Sequence, residues 1–171
     1  MEEFESSHQG EPAPRPGFLT VLCILSFIGG TWGLFSNVQG YMSAELTGST
    51  VSYWLDSAMT QIKRQEAKDP GVKMAERLVS EATVLTDPGK IRNNSLLSIL
   101  SNLLTLTGTA YMFQQRRQGY WIYLAGIAVM VAAPLIVFGT GNIISIVIFV
   151  LECLIGLIFG ILYALNIKHM H

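Results

Sequence analysis

The residue whose type and position could most clearly do chemistry is Glu152, the only carboxylate in an apolar run from Ile143 to Ile167. A carboxyl group in such a run can hydrogen-bond a neighbouring helix, bind a proton or hold a cation. Near mid-membrane a charged, unpaired carboxylate costs about 2.5–3.5 kcal/mol on insertion scales. This cost favours the neutral acid, so we expect Glu152 to be uncharged.

The other apolar segments contain no Lys, Arg or His, which excludes an ion pair for Glu152 within the membrane. Three roles remain open. Glu152 could hydrogen-bond Asn102, Thr105 or the carbonyl of Met130; it could bind a proton or cation in transit; or it could help two copies associate. We favour a structural or oligomer contact over a proton or cation site, and rank a ligand contact last.

Small and polar residues form one stripe on each of three apolar segments when residues are placed at 100° per step. Small residues let membrane helices approach closely, and polar side chains hydrogen-bond between them. We therefore predict packing positions at the glycines, and a candidate proton or cation site among the polar members. The packing glycines are Gly29, Gly33, Gly156 and Gly160, and the polar positions are Asn102, Thr105, Ser145 and Glu152.

The third apolar segment has no polar side chain but contains Pro134. A proline within a helix removes one hydrogen bond and frees the carbonyl four residues earlier, here that of Met130. We predict a kink at Pro134.

The elements that must position these residues are four membrane-spanning helices. Only 13% of the 171 residues are charged and 50% are hydrophobic, whereas soluble domains carry about 25% charged residues. Roughly 20 apolar residues cross a bilayer as a helix. The predicted order is a disordered cytoplasmic tail (1–17), span one (18–38), a loop (39–94), span two (95–113), a short cytoplasmic loop (114–119), span three (120–138), a tight turn (139–142), span four (143–167) and a cytoplasmic tail (168–171).

The loop at 39–94 shows two runs with helical spacing, one of which includes Val51 and Trp54. Each helix is expected to stop at a DPG turn, at Asp69–Gly71 and at Asp87–Gly89, because proline and glycine favour turns. Their apolar sides are expected on the bilayer surface or on the span ends.

Basic residues near the span ends set the orientation. Arg116 and Arg117 lie in the link between spans two and three, on the same side as Arg15 and Lys168. Both termini are therefore predicted to be cytoplasmic.

Several function classes are disfavoured. The net charge is −1, so no basic surface indicates nucleic acid. Cys23 and Cys153 lie within apolar runs without metal-ligand spacing. No nucleophile motif, HExxH or phosphate-binding loop occurs. We expect no cofactor, no metal and no enzymatic activity.

Three stretches carry a resemblance: PGFLTVLCILSFIGG (Pro16–Gly30), QRRQGYWIYLAG (Gln115–Gly126) and ILYALNIKHM (Ile161–Met170). They resemble a family of small four-span bacterial inner-membrane proteins of unknown function. The resemblance covers the four spans and leaves the long loop unmatched. It implies a bacterial inner membrane with both termini cytoplasmic. It supplies no activity, ligand or catalytic residue that could be carried over to this chain.

Together the patterns predict an all-α membrane protein: a four-transmembrane-helix bundle with a helical extracytoplasmic loop between spans one and two. The expected function is non-enzymatic, through helix association with a second copy or another membrane protein in the lipid bilayer. The alternative is a small transporter or channel component that uses Glu152 as a proton or cation site.

Overall fold

The computed structural model describes residues 17–64 and 70–167, and every regular element within these ranges is a helix. The predicted tails lie outside the described residues, except that Gly17 begins the first helix. The helices are α1 (Gly17–Met42), α2 (Ala44–Lys63), α3 (Pro70–Val84), α4 (Pro88–Phe113), α5 (Gln118–Phe138) and α6 (Ile143–Asn166).

Four of these helices, α1, α4, α5 and α6, are long and apolar enough to cross a membrane. They contain 21 to 26 residues; at 1.5 Å per residue the shortest spans about 31 Å, the thickness of a hydrocarbon core. Many of their large apolar side chains point outward, including those of Ile28, Leu154 and Ile158. Such a surface suits lipid rather than water, and the predicted all-α four-span class is confirmed.

The four spans pack in an up-down-up-down order. α4 packs against both α1 and α5, and α5 packs against α6. The contact between α1 and α6 is much smaller, so the ring of helices is only partly closed. We call the end of the bundle that carries α2 and α3 the loop end, and the opposite end, where α1 begins and α6 finishes, the termini end.

The second DPG tripeptide starts a helix instead of stopping one, contrary to the prediction. Asp87 caps α4 by accepting a hydrogen bond from the backbone N–H of Gly89 at 2.8 Å, with Pro88 as the first helical residue. Asp is a good N-cap, and proline at the first position loses no helical hydrogen bond. α4 therefore begins well before the predicted start at Ser95. In the first DPG, Pro70 likewise begins α3, while Asp69 lies outside the described residues.

α2 continues the course of α1 beyond the membrane segment. Only Ser43 separates the two helices, and its N–H donates to the carbonyl of Gln39 at 2.9 Å while its own carbonyl accepts from Thr47 at 2.8 Å. α2 packs on α3 and on the start of α4, where Gly48 meets the backbone oxygen of Thr86. The loop helices thus contact the span ends, while the placement of their apolar sides on the bilayer surface or on the span ends stays a prediction.

The predicted apolar side of α2 is only partly covered. Trp54, which belongs to this side, remains 67% exposed. The packing face of α2 is set by small residues, Ala44 and Gly48, which are buried against α4 and the turn before it.

The best-packed core lies at the termini end. Six buried side chains from all four spans meet there: Leu19, Leu22, Cys23, Met112, Tyr123 and Tyr163. This cluster holds α1 and α6 together at the one end where they touch.

Candidate functional site

Glu152 lies near the middle of α6 and turns one carboxylate oxygen into the protein. Its Oε2 is buried and has no hydrogen-bond partner among the described residues, while the residue as a whole is half-buried. Among the described residues, Glu152 forms no hydrogen bond with Asn102 or Thr105 and donates none to the carbonyl of Met130, which was one of the three roles left open.

The side chains of Asn102 and Thr105 instead form hydrogen bonds within their own helix, α4. The side-chain N–H of Asn102 donates to the carbonyl of Ser98 at 2.9 Å, and the hydroxyl of Thr105 donates to the carbonyl of Asn102 at 3.0 Å. Asn102 also packs on α1, since a Cβ placed on Gly33 would lie 3.0 Å from its Oδ1. The polar stripe of α4 thus faces α1 and the bundle interior.

A cavity of about 260 Å³ lies between the four spans at mid-membrane depth. We call it the central cavity. Its polar lining groups come from three helices: Ser26 on α1, Asn102, Thr105 and Thr109 on α4, and Tyr123 on α5. A cavity of this size with several polar groups has room for water molecules.

Glu152 lies one helical turn from this cavity, on its loop side, and is not among the residues that line it. It precedes the cavity-lining residue Gly156 by one helical turn, and helical geometry places it about 40° from Gly156, toward Phe159. Phe159 also lines the cavity, so Glu152 shares the face of α6 that borders it.

Ser145 continues the same face toward the start of α6. It is fully buried, and its hydroxyl oxygen has no hydrogen-bond partner among the described residues. Two helical turns separate it from Glu152, which is about 10 Å along a helix. Two of the predicted polar positions therefore share one buried face with unsatisfied oxygen atoms, and the other two line the cavity beside it.

The cavity opens sideways between α1 and α6. At the termini end these helices are joined by the hydroxyl of Tyr163, which donates to the hydroxyl of Ser26 at 2.8 Å. Toward the loop end the helices part, and a Cβ placed on Gly29 would meet nothing within 4 Å. We call this opening, flanked by Leu25 and Gly29 on α1 and by Ile155 and Phe159 on α6, the α1–α6 seam.

The four predicted packing glycines differ in their surroundings. Gly33 faces Asn102 of α4, and a Cβ on Gly156 would lie 2.6 Å from the side chain of Ile127 on α5. Gly160 is buried at an ordinary distance from Leu124, 3.7 Å. A Cβ on Gly29 would meet nothing within 4 Å, so Gly29 packs against no other helix of the described chain, and its role in helix packing stays a prediction.

The tightest helix contact joins α4 and α5, and the sequence reasoning missed it. A Cβ on Gly108 would lie 2.5 Å from the backbone nitrogen of Tyr123, and one on Gly119 would lie 2.5 Å from the carbonyl oxygen of Gly108. Ser101 adds a hydrogen bond of 2.8 Å to the carbonyl of Gly126. The available signal is the heptad spacing of these small residues, from Ser101 to Gly108 and from Gly119 to Gly126.

Pro134 is buried within α5, and the helix runs on to Phe138. A kink there stays a prediction.

A second polar cluster, at the loop end, was also missed. The Oε2 of Glu81, on α3, accepts a hydrogen bond of 2.6 Å from the backbone N–H of Ile143, the first residue of α6. The side chain of Asn142 donates to the carbonyl of Glu81 at 2.8 Å and also caps α6 by accepting from Ile144 and Ser145. A helix N-terminus favours negative charge, so α3 supplies an additional cap to α6.

The carboxylate of Glu81 is further held by Arg77, whose Nε lies 2.9 Å from Oε1. The hydrogen bond from Arg77 and that from Ile143 lower the pKa of Glu81. Glu81 is therefore ionised at neutral pH and holds α3 on the end of α6.

In chemical terms, the cavity is lined by several hydroxyls and an amide, and one carboxyl group lies on the adjoining turn of α6. Among the described residues, no group of three or more His, Cys, Asp or Glu side chains is placed to hold a metal ion. Comparison with protein-family models, with curated proteins and with solved structures finds no match to this chain.

Proposed function

We propose that this protein is a non-enzymatic membrane component that associates, through the α1–α6 seam, with a transmembrane helix of a second copy or of another membrane protein. The observation that carries the proposal is the seam itself. α1 and α6 are joined at the termini end by Tyr163 and Ser26, yet the space in front of Gly29 at mid-membrane is open.

The chemistry of the seam suits a helix. A glycine with open space before it lets a second backbone approach closely, and packing of this kind drives association in lipid, where no hydrophobic force acts between helices. The polar groups of Ser26 and Asn102 lie just behind the opening, within reach of a partner that carries a small polar residue.

We also propose that the host is a bacterial inner membrane and that both termini are cytoplasmic. The resemblance of three segments to small bacterial inner-membrane proteins supports the location. Arg116 and Arg117, which lie in the turn between α4 and α5 at the termini end, support the orientation under the rule that basic residues stay in the cytoplasm.

The test is photocrosslinking in intact membranes with a photoreactive phenylalanine analogue at Leu25. The matched control carries the analogue at the neighbouring Ile24, which lies at the same depth with a similar exposure but 100° around α1, away from the seam. We expect a crosslinked species from Leu25 and much less from Ile24.

A blocking variant sharpens the result. Gly29→Leu fills open space and leaves the contacts of the chain itself intact, so it should reduce the Leu25 crosslink severalfold, whereas Thr31→Leu, on the opposite side of α1, should not. Membranes that yield only uncrosslinked monomer from Leu25 would exclude association through this seam.

A further inference from the structure

We propose that Glu152 is an exchangeable proton site, at which the carboxyl binds a proton delivered by water in the central cavity. This inference does not depend on association at the seam. Its basis is geometric: a buried carboxylate oxygen, without a partner among the described residues, on the face of α6 that lines a polar cavity one helical turn away.

Unsatisfied buried oxygen atoms indicate that something other than the protein completes them. A buried polar atom without a partner is destabilising, and α6 carries two such atoms on one face, Glu152 Oε2 and Ser145 Oγ. Buried water usually satisfies such groups. A proton on the carboxyl makes Glu152 neutral, and its hydrogen bond to a cavity water supplies the partner that the protein does not provide.

A proton fits this site better than a metal cation. Hard cations such as Ca²⁺ need about six to eight oxygen ligands, and Mg²⁺ needs an octahedral set. The neighbouring span, α5, presents only apolar side chains at this depth, among them Ile127 and Val131. Ser145 lies about 10 Å away along the helix, and Asn102 is bonded to its own helix. One carboxyl group and water are enough to bind a proton, but they do not provide the ligand set that a metal cation needs.

The surroundings contain few competing charges. Neither α1 nor α5 has a charged residue. α4 carries Lys90 and Arg92 in its first turns, outside the apolar part, and α3 brings Arg77 and Glu81 to the start of α6. The remaining titratable groups on the packed helices are Cys23 and Tyr41 on α1, Tyr111 on α4, Tyr120 and Tyr123 on α5, and Cys153 and Tyr163 on α6.

The exchange step is a simple proton transfer. The O–H bond of the carboxylic acid breaks, the proton passes to a water molecule in the cavity, and the carboxylate keeps the electron pair. Uptake is the reverse step. No oxidant, reductant or second substrate is needed.

The experiment uses the full chain in liposomes and dicyclohexylcarbodiimide, an apolar reagent that modifies protonated carboxyl groups. The adduct on the α6 peptide is measured by mass spectrometry across a pH series, together with the infrared band of the protonated carboxyl. Glu152→Gln removes the group with little change in shape, and Glu76→Gln, an exposed position on α3, is the matched control.

We expect an adduct on the parent chain and on the Glu76→Gln chain, and none on Glu152→Gln. The amount of adduct on the parent chain should be constant at low pH. Above one midpoint it should fall about tenfold per pH unit, as for a single titrating group. The infrared band should follow the same curve and be absent from Glu152→Gln.

Three results would overturn the proposal. An adduct and band of constant size over the whole pH range would mean that the proton never leaves. Absence of both from the parent chain would mean that Glu152 binds no proton. Protection of Glu152 by sodium or calcium at fixed pH would mean that the site holds a metal cation.

Discussion

Gly108 marks the point where the backbones of α4 and α5 come closest. With a glycine on each helix, the chains approach until a Cβ at Gly108 would lie 2.5 Å from the nitrogen of Tyr123. The neighbouring atoms belong to the backbone and cannot rotate away. Close backbone approach of this kind stabilises helix pairs through van der Waals contact in lipid.

Gly108→Ala should therefore destabilise the protein, although alanine is the better helix former. Forcing extra atoms into a packed interior costs about 1–3 kcal/mol, and a backbone neighbour places the cost at the upper end. The measurement is the free energy of unfolding of the purified protein in mixed micelles.

Gly29→Ala is the control for that experiment, since its Cβ meets nothing within 4 Å. It should leave stability unchanged or raise it slightly. Equal effects of the two substitutions would show that α4 and α5 are not in the close contact described.

At the residue scale, the sequence predicts which side chains share the inward face of a helix. It does not predict which neighbouring helix that face contacts. The stripes on α4 and α6 do face inward, and Ser145, Gly156 and Gly160 are buried. Of the roles left open for Glu152, the hydrogen bond with Asn102 is not formed, because the side chain of Asn102 donates to the carbonyl of Ser98. A helical projection shows which residues share a face, but the partner of that face depends on how far each helix is rotated and shifted, which one sequence does not state.

At the scale of elements, α6 depends on α3. Its first turn would leave several N–H groups without partners, and Asn142 and Glu81 supply the acceptors. Because the ionised form of Glu81 is the one that accepts these bonds, its pKa is lower in the folded protein than the ordinary value of 4.5.

This difference gives a pH prediction. The contribution of Glu81 to stability is fully present above about pH 4.5 and is lost as the pH falls through the lower pKa of the folded protein. Glu81→Gln should lower the melting temperature at neutral pH, and the gap between parent and variant should narrow on acidification below that value.

Glu76→Gln provides the comparison on the same helix, because Glu76 is exposed and forms no ion pair among the described residues. Its melting temperature should follow that of the parent chain at every pH. A gap for Glu81→Gln that stayed constant with pH would show that the carboxylate charge is not what holds α3 to α6.

The helices themselves can be predicted well from hydropathy, and their ends less well. The spans at 18–38, 120–138 and 143–167 agree with α1, α5 and α6 to within a few residues. The predicted start of α4 is too late because Pro88 and Gly89 indicate a turn, whereas the Asp87 cap makes the same tripeptide a helix start. The contacts between α3 and α6 join residues that are far apart in the chain. No pattern within a short stretch of the sequence can predict them.

At the scale of the whole molecule, the bundle closes at one end through a small number of contacts. The hydroxyls of Tyr163 and Ser26 are hydrogen-bonded, and the ring of Tyr163 packs edge-on against that of Tyr123 at 4.9 Å between centroids. The contact between α1 and α6 is otherwise slight, so this point limits how widely the seam opens.

Tyr163→Phe and Ser26→Ala should each weaken that closure without creating a large cavity. A hydrogen bond between membrane helices contributes about 0.6 kcal/mol on average, and the double variant should cost less than the sum of the two single changes by about that amount. A double-mutant cycle on the free energy of unfolding measures this coupling. Fully additive effects would show that the two hydroxyls do not interact.

The cap on α6 also has a consequence for the order in which the protein is made. Glu81 precedes Ile143 by 62 residues, so during synthesis the acceptor has left the ribosome before the donor exists. The α4–α5 pair, whose close contact at Gly108 and Gly119 is local in sequence, has also been made by then. Docking of α3 onto α6 is therefore a late step, which can take place only after the start of α6 has been made.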